Sequence, residues 1–377
     1  MSSKKINFQF TRHLLSCNNV NEGRTFGKDY EPGGTMYGIF ETIKYAQLEE
    51  QKKYFKFNHV YVSNLHRTWI TAFLLYATNL SPTDTLNIYI CPFLKEKKHY
   101  GIIKHGNFPQ PIYRMANKFL NFFKNIHKLC VEEENIEEIN KLYTSKNRKI
   151  WYRSLPSTIV LILPPNKAGK IQKIIYKKQS NKPNSCFELI SFCKIEDTAG
   201  PSSGSEFTND GDLQKFMEWY NSLSNYYGKH TVKKDKQNIV NVVSHSKVMS
   251  GYLKKFRTKD DLVFNIDDDR IGLTDIRNSN TWHFNTTENK ITQGTKSIPY
   301  LVNDFDMKKG VPNKEIRKMA KNIEKSSKKY SLCGEKKDVI SANEVCDITK
   351  KKPIIIHRNQ KKIKNRNNIS RKTIKRK

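Results

Sequence analysis

No stretch of apolar residues in this chain approaches the roughly 20 that a membrane-spanning helix needs, which excludes a helical transmembrane protein. The opening residues, MSSKKINFQF, lack the apolar core of a secretory signal, so the chain is expected to act inside the cell, in the cytoplasm or, through its basic end, the nucleus. Cysteine is sparse and shows no pairing pattern: the seven thiols, at positions 17, 91, 130, 186, 193, 333 and 346, are odd in number and include no CxxC pair. That argues against a cysteine zinc site and against a disulfide framework. The ten histidines contain no HxxxH or HExxH spacing, so no metal and no other cofactor is expected. Acidic residues are few beside their counterparts, 36 Asp+Glu against 68 Lys+Arg, a net charge of +32. Such an excess favours anionic partners, whether nucleic acid, acidic lipid or phosphorylated molecules, and charge alone does not choose among them.

What is present is a chain of 377 residues, enough for one large domain or two ordinary ones. Hydrophobic residues make up only 37%, yet 20 Phe and 18 Tyr are too many for a disordered chain, so a packed core has to sit beside solvated stretches. The positive charge collects at the end: residues 305–377 hold 24 Lys+Arg against 7 Asp+Glu, and residues 350–377 hold 13 basic residues and no acidic one. The expectation is a domain over 1–304 followed by a basic, largely disordered tail over 305–377 that contacts polyanions such as nucleic acid.

Residues 6–11 alternate apolar and polar, as a strand with one buried face does, and deliver Arg12 and His13 at the strand's end. From Met36 to about Lys53 apolar residues recur at helical spacing. Residues 59–63 form a second predicted strand, leading through Arg67 into an apolar helix over 68–75, and 86–91 form a third, closed by Pro92. A β-branched run over 238–244 ends at His245, with a helix predicted over 247–256. This alternation predicts an α/β domain with a mostly parallel central sheet flanked by helices. The stretch of about 106–231, with a predicted helix over 115–129, a strand over 158–163 and a helix over 213–223, reads as a large helical or mixed insertion that caps the site. Small and turn-forming residues over 199–205 mark a loop or linker within it.

In parallel sheets ligands bind beyond the carboxyl ends of the strands. Arg12, His13, Arg67 and His245 all fall directly after predicted strands and are expected to converge there. Guanidinium groups match phosphate oxygens bidentately. Arginines beside a histidine disfavour its protonated form, and a neutral imidazole is a competent nucleophile towards phosphorus. Such a cleft suits phosphoryl transfer, which asks mainly for alignment and charge stabilisation.

These residues resemble the motifs of the histidine phosphatase superfamily, which includes the cofactor-dependent phosphoglycerate mutases. Its RHGxSxxN motif is similar to Arg12-His13-Leu14-Leu15-Ser16-Cys17-Asn18-Asn19, with Leu14 in the glycine's place. Its S-x-L-x-R-T-x-x-T-A segment is similar to Ser63-Asn64-Leu65-His66-Arg67-Thr68-Trp69-Ile70-Thr71-Ala72. The acid-bearing L-x-E segment resembles Leu94-Lys95-Glu96, and the strand ending in S/A-H-G resembles Val243-Ser244-His245-Ser246, with Ser246 in the glycine's place. The resemblance covers residues 6 to about 256. It implies a phosphoglycerate mutase-like fold and a phosphatase acting on a phosphorylated metabolite, lipid headgroup or protein. It further implies that His13 becomes phosphorylated, that Arg12, Arg67 and His245 hold the phosphoryl group, that Glu96 protonates the leaving oxygen, and that Ser16 and Asn19 add hydrogen bonds. A second class stays open: a protein of the same fold that binds phosphorylated or nucleic-acid partners without turnover, as side chains of Leu14 and Ser246 filling the pocket would produce.

Overall fold

β-Branched and aromatic runs separated by amphipathic helices build a ten-stranded mixed sheet with helices on both faces, beside a short antiparallel pair of residues 305–306 and 311–312. The computed structural model describes residues 6–20, 33–96, 112–133, 136–163, 171–179, 182–191, 211–222, 232–234, 237–253, 278–279, 281–285, 290–293, 305–306, 311–312 and 314–333. The chain opens with β1 (Ile6–Arg12), α1 (Cys17–Val20), α2 (Met36–Gln47), α3 (Glu49–Phe55), β2 (His59–Val62), α4 (His66–Ala72) and β3 (Thr85–Ile90). It continues with α5 (Ile112–His127), α6 (Glu137–Leu142), α7 (Ser145–Ser154), β4 (Thr158–Ile162), β5 (Lys173–Lys177) and β6 (Glu188–Ser191). Then follow α8 (Leu213–Ser222), β7 (Val232–Lys234), β8 (Gln237–Ser244), α9 (Ser246–Leu253), β9 (Thr281–Asn285), β10 (Lys290–Gln293) and α10 (Lys314–Ser326).

The strand order is β10-β9-β1-β8-β2-β3-β4-β5-β6, with β7 paired to the start of β8. Strands β1, β8, β2, β3 and β4 run parallel at the centre, and antiparallel pairs complete both edges. This is the α/β architecture the alternation of elements predicts. Each central strand sends alternate residues to opposite faces. Val60, Val62, Ile88, Ile90 and Leu161 join a core with α2, α4, α5 and α7, whereas Tyr61, Tyr89, Val160, Val240 and Val242 join Phe8 and Phe10 beneath α8 and α9. Because both faces are covered, the polar side of β1 is buried as well, unlike the single buried face its alternation suggests. Gln9 Nε2 donates to the Tyr54 carbonyl at 2.8 Å, and Thr11 Oγ1 bonds Thr281 Oγ1 at 3.0 Å, so these polar groups have partners inside the protein.

The single helix expected from Met36 to Lys53 is two. Thr35 caps α2 by accepting from Gly38 N at 2.9 Å, and the helix stops at Leu48, whose ψ of 135° is extended. Leu48 O then starts α3, whose first turn carries Glu49 and Glu50, favourable at a positive helix N-terminus.

Three further expectations are corrected. The described part of 106–231 is not a separate insertion: β4 pairs in parallel with β3, β5 and β6 extend that edge, and Phe119, Phe122, Phe123 and Ile126 of α5 fill the main core. Folded structure also continues past residue 304. Ile316, Ala320 and Ile323 on α10, with Tyr330 and Leu332 beyond it, are buried in that same core. The cysteines do form a disulfide, between Cys17 and Cys333, 316 residues apart, a pairing made by the fold and invisible in local spacing. The basic run 350–377 and the linker 199–205 lie outside the described residues, as does everything after 333. Among the described residues no helix is long and apolar enough to cross a membrane.

Candidate active site

The register of the central strands brings their carboxyl ends side by side: Arg12 lies opposite Ser244, and Val62 opposite both Val243 and Ile90. The ladder runs on past the strand ends. His13 N donates to Ser244 O at 3.0 Å, Ser63 N to Val243 O at 3.3 Å, and Cys91 N to Val62 O at 2.9 Å. His13 follows β1, His245 follows β8, Arg67 stands in the first turn of α4 after β2, and Glu96 lies on the loop after β3. That loop bends at Phe93, where φ is 60°, and is tied down by Asp212 N on Phe93 O at 2.7 Å and Ser244 Oγ on Leu94 O at 3.0 Å. Gly211 is required beside it, because a Cβ there would fall 2.0 Å from the Lys95 carbonyl oxygen.

Five of the seven predicted site residues form one cluster. Arg67 Nη2 donates to Glu96 Oε2 at 2.7 Å and to His245 Nδ1 at 3.3 Å, and the rings of His13 and His245 are 5.1 Å apart. Arg12, His13, Arg67 and His245 are all at most 3% exposed, whereas Glu96 is part exposed. Burial first, then the charge of Arg67, hold both histidines well below the ordinary imidazole pKa, with Arg12 adding to the effect. Both rings are therefore neutral at pH 7, and their partners fix the tautomers. His13 Nδ1 lies 2.7 Å from Leu14 O, which only accepts, so Nδ1 carries the hydrogen and Nε2 a lone pair. His245 accepts from Arg67 at Nδ1 and donates from Nε2 to Ser63 Oγ at 2.9 Å. Two guanidiniums against one carboxylate leave a positive cluster that matches a phosphate dianion. His13, Glu96 and His245 also offer one ligand atom each within 4.8 Å of one another, a set that could hold a metal ion. The flanking guanidiniums favour an anion over a cation there.

Ser16 and Asn19 are turned to each other: Ser16 N and Oγ both reach Asn19 Oδ1, at 3.1 and 2.8 Å. Leu14, which stands where the motif has glycine, points away from the cleft. Its side chain is fully buried in the main core, and Gly34 makes the room, since a Cβ there would fall 2.6 Å from Leu14 Cδ1. Three further residues support the site: Ser63 under His245, Thr71 on Leu14 N at 2.9 Å, and Asn278, which donates to both His13 O and Leu14 O. Ser63 and Thr71 lie within the second motif but were given no role by it. Asn278 carries no sequence signal.

No protein-family model and no curated protein matches the chain. Among solved structures it is similar to the crystal structure of phosphoglycerate mutase from Bacillus anthracis str. Sterne, at 13% identity over 82% of this chain and 97% of that one, with a TM-score of 0.34. So loose a superposition carries no argument about activity, and the fold class and the site rest on the strand order and contacts described above.

Proposed function

We propose that this protein is a phosphatase that hydrolyses a phosphomonoester through a phosphohistidine on His13. The observation that carries the reading is the buried His13 ring, neutral and with its Nε2 lone pair available, in one cluster with Arg12, Arg67 and His245 at the ends of adjacent parallel strands. In the first step Nε2 attacks phosphorus, the phosphorus bond to the leaving oxygen breaks, and that oxygen takes from Glu96 the proton that a substrate monoanion passes to this carboxylate on binding. In the second, Glu96 takes a proton from a water that attacks the phosphohistidine, releasing inorganic phosphate and restoring the lone pair. Arg12 and Arg67 hold the equatorial oxygens throughout, with His245 Nδ1 accepting from Arg67 to orient its guanidinium, and the positive charge and hydrogen bonds strengthen as the transition state spreads its charge.

Leu14 does not favour the alternative of binding without turnover, since its side chain packs in the core. Hydrolysis of an aryl phosphate by the full chain and by His13→Ala tests the reading. Turnover in the wild type that falls to background in the variant supports it. A variant that keeps its rate, or a wild type with none, rejects it.

A further inference from the structure

Three consecutive carbonyls at the end of β1 are held by two residues from the other end of the fold. Ser279 N donates to Arg12 O at 3.1 Å, and Asn278 Nδ2 donates to His13 O at 2.8 Å and Leu14 O at 2.9 Å. Both residues are 1% exposed. Ser279 has φ 59°, a left-handed backbone that a serine seldom adopts and that turns this pair back onto β1. Leu14 O also receives His13 Nδ1 at 2.7 Å, so both of its lone pairs are engaged. The amide on the other side of the same residue is fixed too, as Leu14 N donates to Thr71 Oγ1, which donates to Arg67 O at 2.7 Å.

We propose that Asn278 is the positioning residue of the site: by holding the Leu14 carbonyl against His13 Nδ1 it locks the imidazole in the tautomer and orientation that present Nε2 for attack. This rests on the reading of His13 as the nucleophile. Asn278 touches neither substrate nor the reacting atoms in this account. It acts through the carbonyl, as the partner of a catalytic histidine's second nitrogen sets which nitrogen reacts. Without its N–H groups the Leu14 peptide has one anchor fewer and the ring can exchange its hydrogen between nitrogens.

Nitrogen-15 NMR of the full chain labelled at histidine reads the tautomer directly and does not depend on turnover. At pH 7 wild-type His13 is expected to show a protonated Nδ1 and an unprotonated Nε2. In Asn278→Leu, of similar volume but without donors, and in Asn278→Ala, the two signals should move towards each other as the tautomers mix. Aryl phosphate turnover should fall about tenfold with KM within about twofold, because alignment is lost while anion binding remains. A wild-type ring protonated at Nε2, or already a mixture, overturns the proposal even if neither variant folds, and so do folded variants with wild-type ring signals. Should the wild type hydrolyse nothing and the ring signals still respond as described, the positioning role stands and the phosphatase reading falls.

Discussion

At the scale of residues, the site depends on histidines that stay neutral. Burial holds His13, His245 and also His66 below the ordinary imidazole pKa of 6.5, His66 down to about 3. An unfolded chain takes up these protons as pH falls through about 6.5 and the folded chain does not, so the stabilisation is complete above that pH and is lost progressively below it. For His66 alone the loss is about 2 kcal/mol at pH 5. Urea midpoints measured between pH 7.5 and 5 should therefore fall, and fall less in His66→Gln; a midpoint that rises on acidification would contradict this. Arg67 is the other residue on which the site turns, joining Glu96 and His245 in a nearly dry setting. Arg67→Ala should lose about 2 kcal/mol of transition-state stabilisation, roughly thirtyfold in kcat/KM for an aryl phosphate, and a near-normal rate would remove it from the site. Arg12, His13, Arg67, Glu96 and His245 were legible in the sequence because strand ends and motif order point to them. Asn278 was not, because its bonds to His13 and Leu14 span 265 and 264 residues and no local pattern announces them.

The elements that the sequence concealed are those whose reason is tertiary. Helix α10 carries Ile316, Ala320 and Ile323 one turn apart on its buried side, but in the sequence these few apolar positions are outnumbered by lysines. Its end is joined to the segment between β1 and α2 by several contacts. Glu324, buried, accepts from Met36 N and from Ser331 Oγ; Leu332 packs on Gly33; and Cys333 is bonded to Cys17, four residues after His13. Burying two isoleucines, a tyrosine and a leucine contributes about 1.5–3 kcal/mol each, together comparable with the whole stability of an ordinary domain. A chain ended at 304 should therefore fail to unfold cooperatively. Closing a 316-residue loop adds roughly 3–5 kcal/mol, so a reductant should lower Tm in the wild type and leave Cys333→Ser unchanged. A Tm insensitive to reductant in the wild type would show that the bond contributes nothing. A disulfide of this kind persists in oxidising surroundings, which sets it against the intracellular expectation drawn from the N-terminus.

For the molecule as a whole, the parallel centre of the sheet was readable because strand and helix signals alternate, whereas β5, β6, β9 and β10, which complete its edges, are short and antiparallel and left no such rhythm. Charge was misleading in one respect. Part of the excess over 305–377 belongs to the solvent face of a folded helix, where Lys314, Lys318, Lys321 and Lys325 are exposed, and only part to residues beyond 333. Sheet order, buried arginines and neutral histidines all serve one claim, that His13 takes the phosphoryl group. The most direct measurement is a rapid acid-free quench of the full chain mixed with excess aryl phosphate, followed by mass analysis of the peptide containing residue 13. The account predicts one base-stable, acid-labile phosphate on His13. Steady turnover with no such adduct, or an adduct that persists in His13→Ala, would contradict it.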